Sequence, residues 1–185
     1  MSRWAPTPRA ERSFIFLCVA RLSPEKGHAQ LIEAFAAAFA GNLETRLRLV
    51  GDGPLRPVLE QLCCRLGVAN QIDFVGALPA AGVREAMEAA DALVLASRFE
   101  TFGVVVIEAF ACGLPVVSTA CGGPDHLIDM TNGLLVPPKD PQALREALMQ
   151  MRRRAGFYDR AAIRTDAMRR FGPDAFARQF AAMIC

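Results

Sequence analysis

The chain has 185 residues, long for one domain and short for two, and its 52% hydrophobic content is enough for one real core. Its net charge is only +2, with acids and bases dispersed, so there is no basic stripe and no nucleic-acid partner is expected. No apolar run approaches ~18 residues and no signal-peptide pattern opens the sequence, so a soluble, cytoplasmic protein is expected. In chain order, residues 1–12 are polar and Pro-containing and read as a lead-in or linker, and residues 13–185 read as one domain.

Within that domain the apolar pattern alternates. Residues 14–20 read as a strand, 28–40 as a helix, 46–50 as a strand, and 55–66 as a helix closed by Gly67. Strand 71–75, helix 82–90, strand 92–96 and helix 104–112, closed by Gly113, follow. Then come strand 115–119, a turn at Cys121-Gly-Gly-Pro124, a short strand 133–136, and a helical tail from residue 141 broken near 154–157 and at 172–173. Strands alternating with single helices imply right-handed crossovers, hence a Rossmann-like parallel sheet of about six strands with helices on both faces. The expected order is 3-2-1-4-5-6. In such a sheet the ligand crevice opens where the order reverses, outside the carboxyl ends of strands 1 and 4.

Those two ends carry the chemistry. After strand 1 comes Arg21-Leu-Ser-Pro-Glu-Lys-Gly27, offering two cations and the start of a helix, an arrangement suited to a diphosphate without a metal. The alternative for Lys26 is a surface ion pair with Glu25. Only two of the 21 basic side chains are lysine, Lys26 and Lys139. A compact point charge retained at Lys26 in an otherwise arginine-using sequence fits a phosphate. After strand 4 comes Ser97-Arg-Phe-Glu-Thr-Phe-Gly103, followed by Glu108 inside the next helix. Glu100 and Glu108 bracket a helix N-terminus at Gly103. Carboxylates there can accept from ligand hydroxyls while the free N–H groups favour phosphate. The plainer alternative is that Glu100 caps the helix and Glu108 is solvated.

Other signals are weaker. Gly51-Asp-Gly-Pro-Leu-Arg56 follows strand 2 and has Arg56 where a dinucleotide fingerprint needs a third glycine, so it reads as a tight turn into a helix near Pro54. No P-loop is present. His28 and His126 are the only histidines; His28, near a helix start, reads as structural, and Ser97 and Ser118 have no histidine-acid partners for a hydrolase triad. The six cysteines include no C-x-x-C pair and read as reduced core residues. The Arg-rich stretch 145–178 alternates with apolar residues and reads mainly as wet helix faces, with peripheral attachment to anionic lipid as the other reading.

Taken together the residues resemble the C-terminal, donor-binding half of a family 4 (group 1) glycosyltransferase of the GT-B fold. The resembling stretches are Val19-Ala-Arg-Leu-Ser-Pro-Glu-Lys-Gly27, Leu49-Val-Gly-Asp-Gly-Pro54, Ile72-Asp-Phe-Val-Gly76, and the Glu-x7-Glu motif with Ala109-Phe-Ala-Cys-Gly-Leu-Pro-Val-Val117. Gly122-Gly-Pro124 and Asn132-Gly-Leu-Leu-Val-Pro-Pro138 complete the set, in the family's order and spacing over about residues 14–180. The resemblance implies a retaining, metal-independent hexosyltransferase of polysaccharide-type biosynthesis, using a UDP- or GDP-type sugar and no cofactor.

On that resemblance Arg21 and Lys26 clamp the donor diphosphate, Glu100 holds sugar hydroxyls near the N–H groups of Phe102, Gly103 and Val104, Glu108 accepts from the ribose, and Leu78 packs on the base. Catalysis would be positioning and leaving-group stabilisation, where one well-placed group is worth roughly 2.7 to 4 kcal/mol. Such enzymes have two Rossmann-like halves, so an N-terminal acceptor domain is implied as partner: excised, lost by truncation, or separately encoded. The domain alone would be inactive. The terminal helix after Pro173 would leave an apolar surface open to weak dimerisation or, for the tail as a whole, to the inner face of the membrane. A stand-alone sugar-nucleotide-binding module, and a GT-B isomerase or phosphorylase, are the competing readings.

Overall fold

The computed structural model describes residues 13–172 and Ala175. The expectations about residues 1–12, the helix after Pro173 and Cys185 lie outside the described residues. The strands are β1 (Phe14–Val19), β2 (Thr45–Val50), β3 (Ile72–Gly76), β4 (Ala92–Leu95), β5 (Val116–Thr119) and β6 (Gly133–Val136). The helices are α1 (His28–Phe39), α2 (Arg56–Arg65), α3 (Ala80–Ala89), α4 (Val104–Ala111), α5 (Pro141–Arg154) and α6 (Arg160–Phe171). All six strands pair in parallel in the order β3-β2-β1-β4-β5-β6, the order the alternation implies.

The two-residue period of the strands divides the core into two layers. Phe16 and Cys18 of β1, Leu47 and Leu49 of β2 and Val94 of β4 pack with Leu31, Ile32 and Phe35 of α1, Leu59 of α2 and Leu148 of α5. The alternate residues Ile15, Leu17, Leu93, Leu95 and Val116 pack with Met87 of α3, Val106 and Phe110 of α4 and Ile163 of α6. Phe16, Leu31 and Phe35 are fully buried, each worth roughly 1.5–3 kcal/mol of apolar burial. The consequence for the site is that α1 leaves β1 toward one face while α4 leaves β4 toward the other.

Boundaries shift where local chemistry decides them. Helix α3 starts at Ala80 and not at residue 82, because Pro79, with φ fixed near −67, sets the entry and two alanines extend the helix ahead of Gly82. The Cys121–Pro124 turn tightens into a 3-10 turn, Gly123–His126. Of the cysteines expected in the core, Cys18, Cys63 and Cys121 are buried, Cys112 is half-buried and Cys64 is exposed, since adjacent residues on a helix face different directions. Buried Gln71 staples the loop after α1: its amide donates to the carbonyls of Phe39, Asn42 and Thr45, and its oxygen accepts from Gly41 N–H.

Gly27, between β1 and α1, has φ +68, and a Cβ there would lie 2.0 Å from the carbonyl oxygen of Ala96. Gly41 has a similar φ of +80 with nothing within 4 Å. Gly41→Ala is expected to cost only the left-handed strain, roughly 1–2 kcal/mol. Gly27→Ala, which must also push apart the two loops, is expected to cost about 3 kcal/mol or more in urea unfolding. Equal losses for the two variants would show that the approach of Gly27 to Ala96 is not a constraint.

Candidate functional site

The carboxyl ends of β1 and β4 lie side by side at the point where strand order reverses. The loop after β1 runs through a short 3-10 turn, Pro24–Lys26, and the loop after β4 runs from Ala96 to Gly103. Three contacts join them. Gly27 abuts the Ala96 carbonyl, Arg98 N–H donates to the Glu25 carbonyl at 2.8 Å, and Lys26 Nζ donates to Glu100 Oε1 at 2.7 Å, across 74 residues of sequence. Lys26 therefore pairs with Glu100 and not with its neighbour Glu25, whose carboxylate takes the Ser23 hydroxyl instead and is held below the usual range chiefly by that bond. The pair is largely shielded, 24% and 15% exposed, so it fixes two side chains more than it adds net stability.

A third loop, after β5, backs the second. Glu100 N–H donates to Cys121 C=O and Gly123 N–H to Glu100 C=O, both at 2.8 Å, and a Cβ on Gly123 would sit 2.5 Å from the Phe102 backbone. The Gly122-Gly-Pro124 motif is thus the surface on which the Glu100 loop rests. Gly103, at φ +69, opens α4 with no side-chain cap, so Glu100 does not cap the helix. The first bond of α4 is Val106 N–H to Gly103 C=O, leaving the N–H groups of Val104 and Val105 ahead of it.

Arg21, Lys26, Glu100, Phe102, Gly103 and Val104 line one open cleft, together with Val19, Ala20, Thr101 and Val105, which the sequence did not single out. Arg21 is exposed and in no ion pair among the described residues. Glu108 lies beyond, exposed on α4, and lines a neighbouring cavity of about 490 Å³ between α3, α4 and α6 that shares Val19 with the cleft. Leu78 is half-buried against the apolar layer beneath α3 and α4 and lines neither the cleft nor the Glu108 cavity, whose α3 wall includes Ala80 and Val83. The structure thus places the cation loop and the Glu100 loop on one cleft, Glu108 in the neighbouring cavity, and Leu78 on neither.

The family model described as glycosyl transferases group 1 matches residues 5–165. The chain belongs to this family. An uncharacterized glycosyltransferase of Methanocaldococcus jannaschii is 35% identical over 131 residues, 70% of this chain and 33% of its own length. The GDP-mannose-dependent alpha-(1-6)-phosphatidylinositol monomannoside mannosyltransferase of Mycolicibacterium smegmatis is 31% identical over 79% of this chain and 43% of its own length. Among solved structures, Anabaena HepE in complex with UDP superposes with a TM-score of 0.84 at 29% identity, over 94% of this chain and 49% of that one. The chain therefore spans between a third and a half of these relatives.

In this group 1 glycosyltransferase chain four arginines of the Arg-rich tail make helix-surface contacts: Arg152 over the Phe14 ring, Arg169 and Arg170 on Asp166, and Arg160 on the Ala90 carbonyl. No described helix is long and apolar enough to cross a membrane. His28, next to Gly27, is 2% exposed and neither ring nitrogen has a hydrogen-bond partner among the described residues. Burial, assisted by the Lys26 charge, pushes its pKa down from 6.5 to about 4. The fold holds His28 neutral, whereas the unfolded chain protonates it first as pH falls. Its contribution is fully present above pH 6.5 and is lost as pH drops toward 4, by about 3 kcal/mol at the limit. Unfolding followed from pH 7 to 4.5 is expected to show a steeper loss for wild type than for His28→Leu. Parallel curves would mean that His28 does not titrate against the fold.

Proposed function

We propose that this chain is the donor-binding half of a retaining glycosyltransferase that takes a hexose from a nucleoside diphosphate. The observation that carries the reading is the cleft at the reversal of strand order, where Arg21, Lys26, Glu100 and the N-terminus of α4 line one wall. Arg21 and Lys26 neutralise the diphosphate, aided by the free N–H groups of Val104 and Val105. The Glu100 carboxylate accepts from sugar hydroxyls. Glu108, one to two turns into α4 and exposed, accepts from the ribose, and the base lies along the apolar wall near Leu78, Ala80 and Val83.

In the transfer step the bond from the anomeric carbon to the diphosphate oxygen breaks while the oxygen of an acceptor hydroxyl bonds to that carbon on the same face, its proton passing to the departing diphosphate oxygen. The electron pair of the broken bond stays on the diphosphate, where Arg21 and Lys26 meet it with fixed charge. This is electrostatic preorganisation and needs no metal ion. UDP in the HepE complex and GDP-mannose in the name of the mycobacterial relative support a UDP- or GDP-type donor. The relatives' greater length supports a second, acceptor-binding half, without which these residues bind donor but do not transfer it.

Calorimetry with UDP and GDP in the presence of a chelator tests the reading. Micromolar to millimolar binding of at least one diphosphate is expected, weakened about tenfold or more by Lys26→Ala and by Glu108→Ala, as for loss of a charge-assisted hydrogen bond. A wild-type chain that binds neither diphosphate would refute the donor site.

A further inference from the structure

The two oxygens of Glu100 are not equivalent. Oε1 accepts from Lys26 Nζ and from the Ser97 hydroxyl, each at 2.7 Å, while Oε2 has no hydrogen-bond partner among the described residues. Ser97 is itself held. It is 1% exposed, two residues past the end of β4, and its carbonyl accepts from the hydroxyl of Thr119, also 1% exposed, at 2.6 Å. A buried chain thus runs from β5 through Thr119 and Ser97 to the carboxylate that lines the cleft.

We infer that Ser97, backed by Thr119, is a positioning residue that sets the plane of the Glu100 carboxylate and so determines recognition of the hydroxyl-bearing group on the diphosphate. The inference rests on the reading of Glu100 as the acceptor for sugar hydroxyls. The terminal torsion of a glutamate is broad, so one anchored oxygen with one donor leaves the plane free to turn. Lys26 cannot be that anchor alone, because its ammonium, on a flexible stem, is shared between Oε1 and the diphosphate. The Ser97 hydroxyl is short, buried and uncharged, so it serves Oε1 alone. With Oε1 fixed by two donors, Oε2 is the oxygen left to accept from the ligand, in one orientation. This also explains a serine that has no catalytic partner of its own: it acts through Glu100.

The test compares each diphosphate with its sugar nucleotide on the same chain, using UDP, UDP-glucose, UDP-galactose, GDP and GDP-mannose as probes in calorimetry. The sugar that adds most affinity to its own diphosphate in wild type defines the ratio that is followed. Ser97→Ala, which removes only the hydroxyl, is expected to reduce that ratio about fivefold or more while the diphosphate affinity shifts less than about twofold. Ser97→Thr, which restores a hydroxyl, is expected to recover the ratio. Thr119→Val, nearly isosteric and acting one step back, is expected to reduce it in the same selective way.

A ratio unchanged in Ser97→Ala overturns the positioning role. So does equal weakening of diphosphate and sugar nucleotide, which is what a merely structural serine would give. If wild type binds a diphosphate but no sugar changes its affinity, the inference falls while the phosphate site stands. If wild type binds no diphosphate, the donor reading fails first and the inference goes with it.

Discussion

Everything at the site depends on two parallel strands lying side by side while their helices depart to opposite faces. Because β1 and β4 are adjacent and run the same way, their carboxyl ends finish together, and because α1 and α4 diverge, neither of these two helices covers the gap. The gap is then narrowed by backbone contact alone. Gly27 can touch the Ala96 carbonyl only without a side chain, and the Arg98 to Glu25 hydrogen bond ties the same two loops two residues away along each. Lys26 and Glu100 meet at 2.7 Å as a consequence of that closeness, not as its cause.

The charges are distributed in two layers. Lys26 and Glu100 are paired, shielded and backed by Ser97 and Thr119, so they are already in place before a ligand arrives. Arg21 and Glu108 are exposed and in no ion pair among the described residues, so a ligand meets them with little to break. A preorganised inner pair and an adaptable outer pair suit a ligand whose reacting part must be held accurately and whose distal part must only be retained. Neutral, buried His28 fits the same scheme: a second cation beside Lys26 would face both desolvation and a like charge, and its depressed pKa keeps that position uncharged.

The order of the sheet was readable because it follows from handed crossovers and from the alternation of apolar runs, which are local properties of the sequence. The convergence of Arg21, Lys26 and Glu100 on one cleft was readable for the same reason, since the order of the sheet fixes which loops meet. The partner of Lys26 was not, because Glu25 and Glu100 both lay within a long side chain's reach and only the path of the 3-10 turn decides between them. Ser97 was singled out and set aside for lack of a catalytic histidine; its bond to Glu100, three residues on, depends on a loop conformation imposed by Gly122 and Gly123, far away in sequence. Gln71 was assigned to a strand, but its four bonds to the neighbouring loop come from tertiary packing that no periodicity encodes. The glycine pair was visible as a turn, yet its work is to let one loop lie directly on another.

The cleft also bears on how such a domain can serve transfer. Phe99, Phe102 and Val104, on and just beyond the Glu100 loop, are 65%, 68% and 59% exposed, an unusual amount of large apolar surface for one short stretch. In the proposed function a donor on Lys26 and Glu100 has protein on one side of it, and an activated sugar open to water on the other side is as accessible to hydrolysis as to an acceptor. Water exclusion therefore has to come from a second wall, and the same apolar residues that look costly in isolation are suited to meet one. With this chain covering 49% of HepE and 43% of the mycobacterial relative, the length that remains in those proteins is of the size such a wall requires. In the function proposed above the rim and the ion pair have separate tasks: Lys26 and Glu100 select what is held, and the surface around Phe99 and Phe102 meets what closes over it.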